Sequence, residues 1–299
     1  MTKYLWGIDL GGTKIEGVIL EADSFECRLR KRIPTERDKG YGHIVARVAE
    51  LIGLMEAESG ILRPERIGLG TPGVTDPDTG LIKNANTVCL IDQPLVQDIS
   101  TALSTRVDAA NDANCFALAE AQLGAAKGFD VVFGVILGTG VGGGVVVHNK
   151  VLGGRHGIAG EWGHNVLDPN GKGCYCGKKG CVETVLSGPS LERAYFELTG
   201  DLLFLPQIEE RAREGDSRAF DFLVENGKKL GQALSVVVNI LDPDAVVLGG
   251  GVGNSNLLYE WGRKSLDQWI FSNRGFEGAL LRPELGDSAG VYGAAMLTA

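Results

Sequence analysis

Apolar and polar positions along this chain set out its elements before any chemistry is considered. "YLWGIDLGGTKIEGVIL", residues 4 to 20, places apolar flanks around a polar centre at Asp9, Gly11, Gly12, Thr13 and Lys14, and reads as strand, glycine turn, strand. In "YGHIVARVAELIGLMEAE" the residues Ile44, Val45, Val48, Leu51, Ile52 and Leu54 form an apolar stripe that predicts a helix. "RIGLGTPG" reads as a short strand ending at the turn Thr71-Pro72-Gly73, with the loop "DPDTGLIKNANT" after it. "RVDAANDANCFALAEAQLG" reads as strand, polar turn, helix. Residues 216 to 253 read as a long helix, a Pro-marked break and a strand ending in Gly249, Gly250 and Gly251, and the tail "GVYGAAMLTA" reads as a short Ala-rich helix that returns to pack on one domain.

The opening pattern recurs. "GIDLGGTKIEGVIL" (7 to 20) aligns without a gap with "GVILGTGVGGGVVV" (134 to 147), each a strand, a Gly/Thr turn and a second strand. Two such hairpins, each opening its own helices and strands, predict a duplicated α/β fold whose halves face each other. The repeat places the boundary near residue 115.

A chain of 299 residues suits two domains or one divided by a cleft. With 44% hydrophobic residues, 22% charged and 44 glycines it reads as compact and rich in tight turns. A formal net charge of −9 argues against nucleic acid and anionic lipid as partners. No apolar run approaches the roughly 20 residues that span a bilayer, and "MTKYLWGIDL" lacks the features of a signal peptide. The expected location is the cytoplasm. There disulfides are rare, and Cys27, Cys89 and Cys115 read as small buried hydrophobes.

The other three cysteines need a different reason. "GCYCGKKGCVE" gathers Cys174, Cys176 and Cys181 among glycines, one thiolate short of a tetrahedral structural zinc site. His164 in "GEWGHNV" is the candidate fourth ligand, with Lys178 and Lys179 partly offsetting the thiolate charge. A redox or incidental thiol cluster is the alternative, although a Cys-X-X-Cys pair is absent. Zinc here would bring Glu161, His164 and Glu183 into one small volume. The second imidazole nitrogen could then bond a ligand hydroxyl, and the carboxylates would suit a polyol such as a sugar. Taken singly, each glutamate reads as a solvated surface residue.

Both glycine turns have the composition of amide cradles for phosphate oxygens. Neither is a Walker A loop or a dinucleotide fingerprint. Asp9, before the first turn, is a candidate magnesium-water ligand, and Lys14 follows it. In "NDAN", Asn111 and Asp112 stand between a strand and a helix. Either serves as an N-cap, or Asp112 accepts the proton of a hydroxyl attacking a γ-phosphate.

Together these segments resemble the ROK family of bacterial sugar kinases and related repressors. "GIDLGGTKIEGVIL", "GLGTPG", "NDANCFALAE", "GVILGTGVGGGVV", "GEWGHN", "CYCGKKGCVETVLSG" and "DPDAVVLGGG" stand in the family's order nearly end to end. The glycine motifs are shared with the wider hexokinase and actin-like superfamily, whereas the Glu-X-Gly-His motif followed by the cysteine motif is specific. The resemblance implies two actin-like (ribonuclease H-like) α/β domains, 1–115 joined by the C-terminal helix 289–299, and 116–288 carrying a small zinc knot. A cleft between them would hold ATP, Mg2+ and a hexose. It implies Asp112 as general base, and Asn86, Asn111, Glu161, His164 and Glu183 as sugar contacts. His164, Cys174, Cys176 and Cys181 would be the zinc ligands. Asp9, Gly11, Gly12, Thr13, Gly138, Thr139 and Gly140 would form the phosphate turns, and Gly249, Gly250 and Gly251 would lie on the adenosine side. A homodimer is common in the family.

"GLIKNANTVCL" and "GEWGHN" look closest to fructokinases and mannokinases of broad hexose range, so phosphorylation of fructose, mannose or glucose, at the 6-hydroxyl, is the main expectation. An N-acetylglucosamine or N-acetylmannosamine kinase is the alternative, since such enzymes share both specific motifs and small differences in a sugar are worth only about 1–3 kcal/mol. A sugar-responsive repressor is the rival from another class. Such proteins carry a DNA-binding segment before the first turn, for which the eight residues ahead of Asp9 leave no room.

Overall fold

The computed structural model of the protein describes residues 3–85 and 87–299. By internal contacts it divides into two units. One comprises the chain up to Lys127 with Asn149–Ala159 and Leu285–Ala299; the other comprises Gly128–His148 and Gly160–Glu284.

The first unit is built on a five-stranded sheet. Its strands are β1 (Tyr4–Leu10), β2 (Lys14–Glu21), β3 (Cys27–Pro34), β4 (Arg66–Thr71) and β5 (Arg106–Asn111), in the order β3-β2-β1-β4-β5. The polar centre of the opening segment is the turn of the antiparallel β1–β2 hairpin, in which Leu10 pairs with Ile15. β4 and β5 run parallel to β1, so their carboxyl ends and the hairpin turn meet at one edge. On one face lie α1 (Tyr41–Ser59) and α2 (Leu95–Leu103), over a core that includes Trp6, Ile8, Ile15, Leu51, Ile67 and Ile99.

The buried stripe of α1 is Ile44, Val48, Leu51, Ile52 and Met55. Leu54 is exposed and Met55 takes its place, because Met55 shares one helical face with Ile44 and Val48. The other face of the sheet is covered by the C-terminal helix (Ala289–Met296), which packs on β1, β4 and α3 (Asp112–Gln122). That approach is close: a Cβ on Gly68 would lie 1.6 Å from the Ala294 carbonyl oxygen. The sequence-derived boundary at residue 115 lies inside α3.

The second unit repeats the hairpin theme. β6 (Val131–Leu137) and β7 (Val141–Val147) pair antiparallel, and β8 (Ala245–Gly249) runs parallel to β6, with β9 (Ala279–Leu281) beyond it. Helices α4 (Val182–Leu186), α5 (Gly188–Thr199), α6 (Leu205–Arg213), α7 (Ser217–Leu241) and α8 (Asn256–Leu266) belong to this unit. Phe133, Val135, Tyr195, Phe222, Leu230, Leu234 and Val246 are among its core residues. Each core is apolar enough to hold its own sheet and helices together.

Among the scattered cysteines Cys115 is buried, Cys89 is half-buried and Cys27 is exposed. The expectation of burial fails at Cys27 because it opens β3, the edge strand of the sheet.

Gly68→Ala is expected to lower the stability of the protein by about 2 kcal/mol or more, since the new methyl meets backbone that cannot give way. Gly53→Ala, on the open side of α1 with nothing within 4 Å of the added methyl, is expected to raise it by up to about 1 kcal/mol. Thermal melts of the two variants check the pair; equal midpoints would contradict the close packing at Gly68.

Candidate functional site

The carboxyl edge of the first sheet carries its acidic groups. Asp9 is the penultimate residue of β1, and its carboxylate lies against the backbones of Gly70 and Gly290. Asn111 caps α3, its Oδ1 accepting the Asn114 N–H at 2.9 Å. Capping thus falls to Asn111, while Asp112 is the first residue of the helix and its Oδ1 accepts the adjacent Ala113 N–H at 2.8 Å.

Burial pushes the Asp9 carboxyl up to about 6, and the charges of Asp112 and Glu16 add to the rise against Lys14 and Arg32. Desolvation also raises Asp112, opposed by the Ala113 hydrogen bond. Asp112 as a residue is exposed. Two neighbouring carboxylates that resist ionisation together favour a cation beside them, and a raised carboxylate is a better base than an ordinary one.

The β1–β2 turn is tight, with the Gly11 N–H donating to the Lys14 carbonyl at 3.0 Å. Buried Thr35 braces it from outside. Its hydroxyl donates to Gly11 O at 2.7 Å, and its N–H donates to Thr13 O at 3.0 Å. Lys14 Nζ lies 3.8 Å from the buried Glu16 carboxylate, which also accepts from Arg30 and, at 2.7 Å, from Arg32. Asn86 lies outside the described residues.

The β6–β7 turn holds Gly138, Thr139 and Gly140 and is braced differently. The Gly138 N–H donates to Gly140 O at 2.9 Å, and the Gly188 N–H at the start of α5 donates to Gly138 O at 2.8 Å. Glu183, in the first turn of α4, accepts the Val141 N–H on its Oε2 at 3.0 Å. That oxygen lies 2.7 Å from where a Cβ on Gly140 would sit, so Gly140 makes room for the carboxylate. Gly249 ends β8; Gly250, at φ +83°, brings the chain against the Leu137 carbonyl, whereas Gly251 has open space beside it.

Two residues before Glu183 lies Cys181. The ligand atoms of His164, Cys174, Cys176 and Cys181 all fall within 4.8 Å of one another. Cys174 Sγ is 3.5 Å from His164 Nδ1, and Cys176 Sγ is 3.6 Å from Cys181 Sγ. A tetrahedron with Zn–S bonds near 2.3 Å has edges of about 3.8 Å, so the donors and their spacing fit a structural zinc ion. The metal would sit on Nδ1, because Nε2 lies 3.0 Å from the Tyr175 hydroxyl. That nitrogen, read from sequence as free for a ligand, is held in this structure by a phenol whose ring stands edge-on to the imidazole at 5.1 Å between centroids. Glu161 precedes the short turn Trp162–His164 and is half-buried.

The structure thus places Asp9, the first glycine turn, Asn111 and Asp112 in the first unit. The second glycine turn, Gly249–Gly251, Glu161, His164, Glu183 and the three cysteines lie in the second. Sequence reasoning missed Thr35, Glu16 and Tyr175. The only available signal was the position of Tyr175 between two cysteines.

The model of the ROK family matches residues 5–299. The N-acetyl-D-glucosamine kinase of Mannheimia succiniciproducens is 34% identical over 98% of each chain. The ROK hexokinase of Thermus thermophilus superposes with a TM-score of 0.88 at 34% identity, over 98% of this chain and 97% of that one. A ROK family glucokinase from Streptomyces griseus, solved in complex with glucose and AMPPNP, gives 0.78 at 29% identity over 98% of both.

Two outcomes test the site's chemistry. Because Asp9 titrates near 6 when folded against 3.8 in the unfolded chain, its contribution to stability is full below about pH 3.8 and is lost as pH rises to 6. Asp9→Asn is expected to remove that fall, and melting curves of both proteins from pH 4 to 7 that run parallel would contradict it. Elemental analysis is expected to find about one zinc per chain, with Cys176→Ser surrendering its metal to a chelator at least tenfold faster. A wild type that holds no zinc yet melts identically with and without added zinc would contradict the metal reading.

Proposed function

The chain belongs to the ROK family, and from that membership we propose that it is an ATP-dependent N-acetylglucosamine kinase that phosphorylates the sugar's 6-hydroxyl. The sugar-kinase activity is common to the named relatives on both sides of the comparison. The acetamido sugar, rather than fructose, mannose or glucose, is supported by the relatives in sequence: the Mannheimia protein and a Vibrio cholerae protein 36% identical over 98% of each chain both bear that name. This reverses the order of preference drawn from the loop motifs alone.

The observation that carries the reaction is the placement of Asp9 near the end of β1 and Asp112 at the start of α3, beside the first glycine turn, with desolvation raising both and the charge of Asp112 adding to the rise at Asp9. Asp112 would take the proton of the attacking hydroxyl, which its raised affinity favours. Asp9 would hold Mg2+ through water; the ion, when bound, neutralises phosphate charge. The Gly11 and Gly138 N–H groups are used within their own turns, so the amides of residues 12–13 and 139–140 would meet phosphate oxygens, while Gly249–Gly251 would border the adenosine.

Asn86, Asn111, Glu161, His164 and Glu183 would bind the sugar. Glu183 gives one oxygen to the turn and keeps the other for a hydroxyl. At His164 a sugar hydroxyl would replace that of Tyr175, whose ring is exposed.

A coupled ADP-release assay with Mg2+ and ATP over N-acetylglucosamine, N-acetylmannosamine, glucose, mannose and fructose is expected to give the highest kcat/KM for N-acetylglucosamine. A preference for fructose or mannose would overturn the substrate, and silence across the panel would overturn the kinase. Asp112→Asn is expected to lower kcat at least about 10²-fold while sugar binding by calorimetry is unchanged.

A further inference from the structure

One group of residues beside the first turn has no place in the reading above. The side-chain atoms Arg37 Nη1 and Thr87 Oγ1 lie 3.2 and 3.4 Å from the point that a Cβ on Gly12 would occupy. Glycine leaves that point empty, so a cation and a hydroxyl converge on a small space at the turn's surface. Thr87 is only 4% exposed as a residue, but its hydroxyl is not among the buried polar atoms left without a partner, so an entering anion can reach it. Arg37 is exposed, and among the described residues its guanidinium pairs with no carboxylate.

The chain goes to some expense to put Arg37 there. Thr35 is bound to the turn through both its N–H and its hydroxyl. Next, Glu36 adopts φ 54°, ψ 46°, the left-handed region that disfavours a residue with a Cβ. Its carboxylate turns away to Lys39 at 3.0 Å and His43 at 2.7 Å, so it does not neutralise Arg37.

The charge inventory explains why a free guanidinium belongs here. Asp9 feels the negative charges of Asp112 and Glu16, and the nearby cations Lys14, Arg30 and Arg32 all face Glu16. A phosphate entering this region meets net negative charge. Of the cations named around the turn, Arg37 alone has no carboxylate.

We propose that Arg37, Thr87 and the Gly12 backbone form an anion subsite for the phosphoryl group during its transfer. This rests on the kinase reading. The sugar oxygen forms a bond to the γ-phosphorus as the bond from that phosphorus to the β–γ bridging oxygen breaks. The hydroxyl proton passes to Asp112, and the leaving oxygen keeps the electron pair. Arg37 gives up no proton; its planar fork and the Thr87 hydroxyl donate hydrogen bonds to the non-bridging oxygens, whose charge must be met for the transfer to proceed.

The test compares wild type, Arg37→Ala, Arg37→Lys and Thr87→Val. Calorimetry with inorganic tripolyphosphate reads the anion subsite, calorimetry with N-acetylglucosamine reads the sugar side, and the coupled assay reads turnover. Arg37→Ala is expected to weaken tripolyphosphate at least tenfold and to lower kcat about 10²-fold, leaving sugar affinity unchanged. Arg37→Lys, which keeps the charge without the fork, and Thr87→Val should fall between. Arg37→Ala with the wild type's tripolyphosphate affinity and kcat overturns the subsite, as does a parallel loss of sugar affinity. A wild type that phosphorylates no sugar while Arg37→Ala still loses tripolyphosphate supports the subsite and sinks the substrate reading.

Discussion

Two hydrogen bonds hold the second glycine turn in shape, and both come from the segment that follows the cysteine cluster. Glu183 accepts from Val141 N–H, and Gly188 N–H donates to Gly138 O. The first is a bond to a charged acceptor, a class worth about 1.5–3 kcal/mol. A turn that must meet phosphate with its amides gains most when its geometry is set beforehand, because rearranging it during the reaction would subtract from catalysis. The cluster of His164 and three cysteines is therefore more than a clasp on its own loop. Cys181 starts α4, and α4 carries Glu183 to the turn.

Among the described residues, the first unit braces its turn without a Cys/His cluster. Thr35 takes the place of Glu183 and Gly188, donating to the carbonyls on either side of Gly12. The difference in bracing leaves a difference in charge. A carboxylate stands behind the second turn, whereas Arg37 stands beside the first.

The hairpins and the main helices were legible because hydrophobic periodicity records which face of an element is buried, and both sheets bury theirs. Leu54 and Met55 show the limit: a stripe read one residue at a time admits either, and the face is decided by what lies opposite, here Gly17, whose missing side chain receives the Met55 sulfur. The Cys/His cluster was legible because four residues of two types able to bind zinc stand close together in the sequence. Glycine was the harder residue to read. Sequence assigned the glycines of both turns to phosphate and Gly250 to the adenosine side; the packing adds that Gly140 makes way for Glu183 and that Gly250 lets β8 end against Leu137. Thr35, Arg37 and Thr87 had no motif at all, since their meaning comes from a turn more than twenty positions away in the chain.

Whether the cysteine cluster holds the glycine turn is read most directly from the exchange rate of the Val141 amide. In hydrogen exchange of the zinc-loaded and chelator-treated protein, removing the metal is expected to speed exchange at Val141 at least tenfold while amides of β1 keep their protection. Val141 exchanging at one rate in both samples, with the loop at residues 173–181 loosened by the chelator, would contradict it.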